Sequence, residues 1–308
     1  MNYAPVLIPT LNRHVHLKRC IDSLSKCIHA DKTDLYVALD YPLIDEHWDG
    51  YQHIREYLPT VRVFRSVNII ERDRNYGAVE NDRDARGVIF AKHDRLIYSE
   101  DDNEFSPGFL IYMNMCLDVY ETRRDIHSVC GYCFPVKIPK SYKHDIWIWP
   151  GFNAWGAGYW RDKHILPDNS FEEVVSYVRD KELQNKVMQV GEHVHRNLLS
   201  IYKSEHVTGD TVSSLYIVKN NLYSVFPVIS RVRNWGFDGT GEHCGKSGAQ
   251  LFHKQEIYQR VDEPSVPYDI QPDPKMFKIM RKYGKGSLKF QIKKIVLPML
   301  KHMKLHGK

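Results

Sequence analysis

The chain has no apolar run approaching the roughly 20 residues needed to cross a bilayer as a helix, and no internal repeat or low-complexity linker breaks its 308 residues. A membrane-spanning protein and a solenoid are therefore poor readings of it. Its first residues, Met1-Asn2-Tyr3-Ala4-Pro5, lack the basic and apolar regions of a signal peptide, and the six cysteines are scattered, so a reducing cytoplasm is expected. Cys130-Gly-Tyr-Cys133 has no second CxxC, and Phe134-Pro135 follows it where a redox motif would open a helix. Two buried strand cysteines are expected there. Acidic residues are missing altogether from Pro274 to Lys308, a stretch with 11 Lys and Arg. The remaining residues hold 32 basic against 38 acidic side chains, so the overall charge of +5 hides a mildly acidic body and a strongly basic tail.

What is present is ordinary globular material, 43% hydrophobic and 26% charged, enough for one large domain. Val6-Leu7-Ile8 reads as a buried strand, followed by a helix capped by Asn12 with Leu17, Cys20, Ile21, Leu24 and Ile28 at helical spacing. Leu35–Leu39 is the next strand and delivers Asp40 to its end. A helix with Trp48, Tyr51, Ile54 and Leu58 leads to a third strand at Val61–Phe64. A loop through Arg72, Arg74, Asn75 and Gly77 precedes a helix with Ala85, Val88 and Ile89. This alternation predicts an α/β fold with a mostly parallel central sheet flanked by helices. Beyond a helix near 107–120 come a strand at 128–132, mainly helix over 171–199, a strand at 222–229 and a Gly-rich loop from Asn234 to Gly248.

The chemistry concentrates after Leu96-Ile97-Tyr98, where Glu100-Asp101-Asp102 crowd three carboxylates at a strand's carboxyl end. Ligands sit at that edge of open α/β sheets. Like charges so close call for a counter-charge, and a hard divalent cation, Mn²⁺ or Mg²⁺, is the natural candidate. Such an ion would stabilise a leaving diphosphate. Asp102 is then the expected direct ligand, with Asp101 on a ribose or a metal-bound water, and His243 a candidate to complete the shell or touch a phosphate. Trp147, Trp149, Trp155 and Trp160, set among glycines, suit either a sugar-binding wall or a core.

In order and separation these pieces resemble a glycosyltransferase of the GT-A fold, a Rossmann-like nucleotide-diphospho-sugar transferase. The nearest likeness is to family-2-like and N-acetylglucosaminyltransferase I-like enzymes of bacterial surface-polysaccharide assembly (lipopolysaccharide, O-antigen, capsule). Pro5–Arg13 resembles their opening strand and nucleotide loop, Leu39-Asp40 the aspartate near the base, and Arg74-Asn75-Tyr76-Gly77 with Asn81 the loop before the metal motif. Glu100-Asp101-Asp102 resembles the metal motif, Trp155-Gly156 with Trp160 the acceptor side, and Asn234-Trp235-Gly236-Phe237 through His243-Cys244 the closing loop. The resemblance implies a nucleotide-sugar site of Pro9, Thr10, Asn12, Arg13, Asp40, Arg74, Asn75, Gly77, Asn81, Glu100 and Asp101, and an acceptor site of Trp155, Gly156 and Trp160. It also implies Asp210 as the base of an inverting hexosyl or N-acetylhexosaminyl transfer, placed tightly by Gly209; Glu205 and Glu192 are alternatives. A family tryptophan expected just before that aspartate is replaced by Thr208-Gly209.

The implied donor is a nucleotide diphosphate sugar, UDP-linked in the first instance, and the implied acceptor a glycan or lipid-linked sugar. The domain is expected over 1–270, its nucleotide-sugar half to about 125 and its acceptor half from about 126. Residues 271–308 then form a basic amphipathic tail whose aliphatic residues interleave with lysines, as on an anionic membrane, making the protein peripheral on the inner face of the plasma membrane. Few aromatics in that tail leave little for nucleic-acid bases to stack on. A metal-dependent nucleotidyltransferase would share the sheet and the acids, yet the first strand lacks a Gly-rich basic phosphate loop. A noncatalytic carbohydrate-binding protein would have no need of the three carboxylates.

Overall fold

The computed structural model describes residues 3–163, 171–241 and 249–285. His243, Cys244 and the segment 286–308 lie outside the described residues. Three strand–helix units come first: β1 (Val6–Thr10) and α1 (His14–Leu24), β2 (Asp34–Leu39) and α2 (Trp48–Tyr57), β3 (Ser66–Glu71) and α3 (Gly77–Phe90), which lead into β4 (Arg95–Tyr98). These four strands are parallel in the order β3-β2-β1-β4, with a helical crossover between successive strands as parallel pairing requires. β1 and β2 are almost wholly buried and mostly apolar because helices cover both faces of the sheet.

The second half adds β5 (Asn103–Phe105), α4 (Phe109–Val119), β6 (Ile126–Cys130), β7 (Ile146–Trp149) and β8 (Ala157–Trp160), then α5 (Phe171–Arg179), α6 (Lys181–Val190), α7 (Glu192–Ser204) and α8 (Gly209–Lys219). β9 (Tyr223–Pro227), β10 (Val232–Asn234), α9 (Ala249–His253) and α10 (Pro274–Lys285) complete it. One sheet runs β3-β2-β1-β4-β8-β6-β9-β7, and four of its seven pairings are parallel. The predicted α/β class with a mostly parallel sheet and flanking helices is the observed one. β8 runs antiparallel between β4 and β6 and so joins the two halves. β10 pairs antiparallel with β5 as a separate two-stranded ribbon over the carboxyl ends of the central strands.

Several local expectations need correction. The third strand is Ser66–Glu71, not Val61–Phe64: Val61 and Phe64 bury their side chains from irregular backbone, while the true strand lies at the sheet edge with little burial. Edge strands lose the apolar pattern that betrays central ones. Asn12 does not cap α1, because Arg13 occupies the position before it and no side chain caps the helix. The helical stretch 171–199 is divided, with the Asp180 carboxylate accepting from Leu183 N at the start of α6 and Gly191 separating α6 from α7.

Trp147, Trp149 and Trp160 are among the largest fully buried side chains, so the aromatic stretch is mostly core. Cys130 and Cys133 are free and buried, and burial pushes the Cys133 thiol up to about 12. Pro274–Lys285, the first part of the expected tail, packs on α6 and α7 through Met276, Met280 and Gly284. Among the described residues no helix is long and apolar enough to cross a membrane.

Candidate active site

The crevice is opened by the way β1 and β4 part. Asp40 N donates to Thr10 O and Ser99 N donates to Leu7 O, so alternate residues of β1 face β2 and β4. Pro9 stands in the phase that faces β4 and has no N–H to continue the ladder. The β1–β4 register accordingly ends at Leu7↔Tyr98, and the chain after Tyr98 diverges. A crevice forms at the switch point between strands that lead to opposite sides, the general ligand position in such sheets.

Into it Ser99 delivers the three acids. Asp101 and Asp102 are buried and Glu100 half-buried. Thr10 Oγ1 donates to Asp101 Oδ2 at 2.8 Å. Arg13 NH2 donates to Asp102 Oδ2 at 2.7 Å, and Arg13 NH1 stands 3.3 Å from Asp101 Oδ1. From the ribbon, Asn234 Nδ2 donates to Asp102 Oδ1 at 2.6 Å, while Trp235 N donates to the Asp102 carbonyl at 2.9 Å. Gly236 packs against the same carboxylate so closely that a Cβ would overlap Asp102 Oδ2. Burial, followed by the charges of Asp102, Asp210 and Asp101, pushes the Glu100 carboxyl well above its ordinary range. Burial raises Asp101 as well, against the opposing pull of Arg13.

Asp210 lies in the first turn of α8 and accepts from Ala154 N at 3.2 Å and from Asn153 Nδ2 at 3.4 Å. Desolvation by burial pushes its carboxyl up to about 6, partly offset by the Ala154 N–H. Its charge is felt at Glu100, so the two acids lie near one another. Gly209 is not what places it: its φ is not in the left-handed region and a Cβ there would meet open space. The alternatives do less well. Glu205 is exposed at the end of α7, and Glu192 pairs with Arg196.

The loop residues divide. The Asp40 carboxylate accepts from Tyr41 N, Tyr76 N and Gly77 N at 2.8–2.9 Å, so it fastens the 75–77 loop to the end of β2 and has little capacity left for a ligand. Gly77 turns there with φ +75°. Asn75 Nδ2 donates to Tyr41 O at 2.6 Å. Asn81 is buried, donating to Ala38 O and accepting from Arg72 Nε, a framework role rather than a ligand contact. Arg74 is exposed, and it and the buried Arg72 lie 4.5 and 4.6 Å from the centre of the Tyr76 ring. The opening loop is held from beneath by α2, where any side chain in place of Gly50 would overlap the Asn12 carbonyl.

Of the residues expected on an acceptor side, Trp155 is half-buried beside Tyr132, Phe237 and Phe252. Gly156, at φ +69°, packs against Phe109 and Val232. Trp160 does not belong to this wall. It is 1% exposed, donates Nε1–H to Leu117 O and lies under Lys163 Nζ.

The donor set does not fit a divalent ion as it stands. All four oxygens of Asp101 and Asp102 already have partners in Thr10, Arg13 and Asn234, and a guanidinium lies between the two carboxylates. Among the described residues no three His, Cys, Asp or Glu side chains converge as a ligand set. A metal at Asp102 would require Arg13 to withdraw. Sequence reasoning missed Asn153-Ala154 as the support of Asp210 and the Asn234 amide as the second partner of Asp102.

No family model and no curated protein matches the chain. Among solved structures it is similar to the mannosyltransferase PcManGT from Pyrobaculum calidifontis in complex with GDP-Man and Mn²⁺, at 14% identity over 70% of this chain and 68% of that one, with a TM-score of 0.39. It is also similar to S. aureus TarS 1-349, at 13% identity over 54% of this chain and a TM-score of 0.35, and spans about half of that structure, 48%. The complex of the same TarS fragment with UDP-GlcNAc aligns at 13% identity over 44% and 37% of the two chains, with a TM-score of 0.31.

Proposed function

We propose that the chain is a GT-A-type glycosyltransferase that moves a hexosyl or N-acetylhexosaminyl group from a nucleoside diphosphate sugar, UDP-linked in the first instance, to a glycan or lipid-linked acceptor of surface-polysaccharide assembly. One observation carries the reading: two kinds of carboxylate lie near the end of β4. Asp101 and Asp102 are paired with a cation at the end of β4, whereas Asp210 is desolvated and held by one backbone N–H and a distant amide. Acids in one site with such different surroundings are suited to different tasks.

Glycosyl transfer needs both tasks. Charge develops on the departing diphosphate, for which Arg13 offers donors beside the carboxylates. The acceptor hydroxyl must lose a proton, and a carboxylate with a pKa near 6 is ionised at neutral pH yet basic enough to accept it. Attack on the face opposite the leaving group inverts the anomeric centre. Trp155 supplies a ring on which an acceptor sugar can lie.

Membrane association completes the proposal, with the protein on the inner face of the plasma membrane. Helix α10 buries Met276 and Met280 against the domain and exposes Lys275, Lys278, Arg281, Lys282 and Lys285. A basic face of this kind is attracted to anionic lipid. Incubation with a panel of nucleotide sugars, followed by measurement of nucleoside diphosphate release, tests the function. Failure to release diphosphate from any of them, with and without sugar acceptors, would reject it.

A further inference from the structure

The carboxylate pair at the end of β4 has a cation, and that cation is part of the chain. Arg13 spans Asp101 and Asp102, with one terminal nitrogen 2.7 Å from Asp102 Oδ2 and the other 3.3 Å from Asp101 Oδ1. Its side chain keeps 20% of its exposure while the two acids keep 9% and 6%, so Arg13 is the partner of the ion pair that meets solvent. We propose that Arg13 is the resident counter-cation of this site, neutralising Asp101 and Asp102 in the free protein and receiving the diphosphate of the donor, so that nucleotide binding does not require a divalent ion. This rests on the nucleotide-sugar reading above.

Three features support the assignment. A guanidinium carries five N–H donors in a planar fork, which suits carboxylate and phosphate alike. Two terminal nitrogens face the acids here and each carries a second N–H, so donor capacity remains. Arg13 also stands directly before α1, whose first turn has no acidic residue and no side-chain cap. The positive end of the helix dipole therefore adds to its charge at the same place. Finally, the carboxylates do not stand open to an ion: Thr10 and Asn234 take the two oxygens that Arg13 leaves. A divalent cation and Arg13 compete for the same pair, and the tethered cation needs no concentration in solution to win.

The competition can be read directly. Binding of Mn²⁺ is followed by electron paramagnetic resonance, and binding of UDP and GDP by calorimetry in EDTA and in excess Mn²⁺, for the full-length wild type, Arg13→Gln and Arg13→Lys. The wild type should bind at least one of the two nucleotides in EDTA, with affinity changed less than about threefold by Mn²⁺, below the 1.4 kcal/mol of a tenfold change. Arg13→Gln should lose about tenfold or more in EDTA, the scale of a charge-assisted hydrogen bond. It should also bind Mn²⁺ about tenfold more tightly than the wild type, since the carboxylates are freed. Arg13→Lys, which keeps the charge, should fall between them and shows that loss in the Gln variant is not unfolding.

Equal Mn²⁺ binding by wild type and Arg13→Gln overturns the inference. So does nucleotide binding by the wild type that vanishes in EDTA, an outcome that leaves the glycosyltransferase reading standing. If neither nucleotide binds under any condition, the nucleotide-sugar reading fails and the proposed role in diphosphate binding falls with it.

Discussion

Asn234 donates a 2.6 Å hydrogen bond to Asp102 across 132 residues of chain. The bond ties the β10 ribbon to the carboxylates at the end of β4, so the acidic site is assembled from both halves of the molecule. Gly236 lies immediately beyond and leaves no room for a methyl group beside Asp102. Gly236→Ala should therefore displace the ribbon or the carboxylate, costing about 1–3 kcal/mol of stability as an overpacked contact does. Calorimetric UDP or GDP binding should weaken with it. A variant with wild-type melting temperature and affinity would show that the ribbon yields freely.

For Asp210→Asn, nucleotide binding should persist while turnover falls by about 10²-fold or more, the scale of general-base catalysis. The pH profile of the wild type should rise through a pKa near 6, and this limb should be missing in the variant. Stability follows with a definite sign. The folded-state pKa of about 6 exceeds the unfolded value of 3.8, so the native state holds the proton more tightly, and stability falls as pH rises between those values. Replacement by Asn should remove up to about 3 kcal/mol of that fall. Chemical denaturation at pH 4 and pH 7 measures it.

Trp155 and Trp160 should separate cleanly. Trp155→Ala should raise the acceptor KM several-fold and leave nucleotide affinity unchanged, which kinetics with varied acceptor would detect. Trp160→Ala empties a buried site and should cost about 3–5 kcal/mol. An equal loss of stability in both variants would return Trp155 to the core.

The buried Arg72 is joined to Asn81 and to Asp84. Arg72→Ala should strand the Asn81 side chain and loosen the attachment of α3 to the end of β2, lowering stability by about 1–3 kcal/mol. Hydrogen exchange in the first turn of α3 should rise. Activity lost without any change in exchange or melting would instead mark Arg72 as a ligand contact.

Replacing Lys275, Lys278, Arg281, Lys282 and Lys285 by Gln should leave the melting temperature nearly unchanged, since these side chains are exposed. Binding to phosphatidylserine vesicles should weaken by about 1 kcal/mol for each charge that lies near the surface. Deleting residues 274–308 should destabilise the domain by uncovering the seat of Met276 and Met280. Vesicle binding that survives the five replacements would place the contact elsewhere.

The parts of the site that local pattern controls were legible in the sequence. Continuous apolar strands and helical spacing located β1, α1, β2, α2 and α3, and a strand ending in three acids marked the crevice. Pairings between distant segments were not, because nothing local encodes the register that sets Asn234 opposite Asn103 or brings Ala154 to Asp210. The tryptophans misled for a related reason: a ring beside glycine looks the same in sequence whether it packs on Leu117 or faces solvent. Asp40 stands at the strand end where it was expected, yet its oxygens are taken by backbone N–H groups that only the folded loop presents.

β8 makes the two halves mechanically one. Because it pairs with β4 on one side and β6 on the other, a hinge between the halves would have to tear a sheet that is continuous through the middle of the molecule. On the proposed function, admission of a donor and escape of a product therefore fall to side chains at the rim such as Arg13. Substitutions that stiffen that rim should slow exchange of nucleotide without touching the chemical step, while substitutions in β8 should be felt as loss of the whole fold.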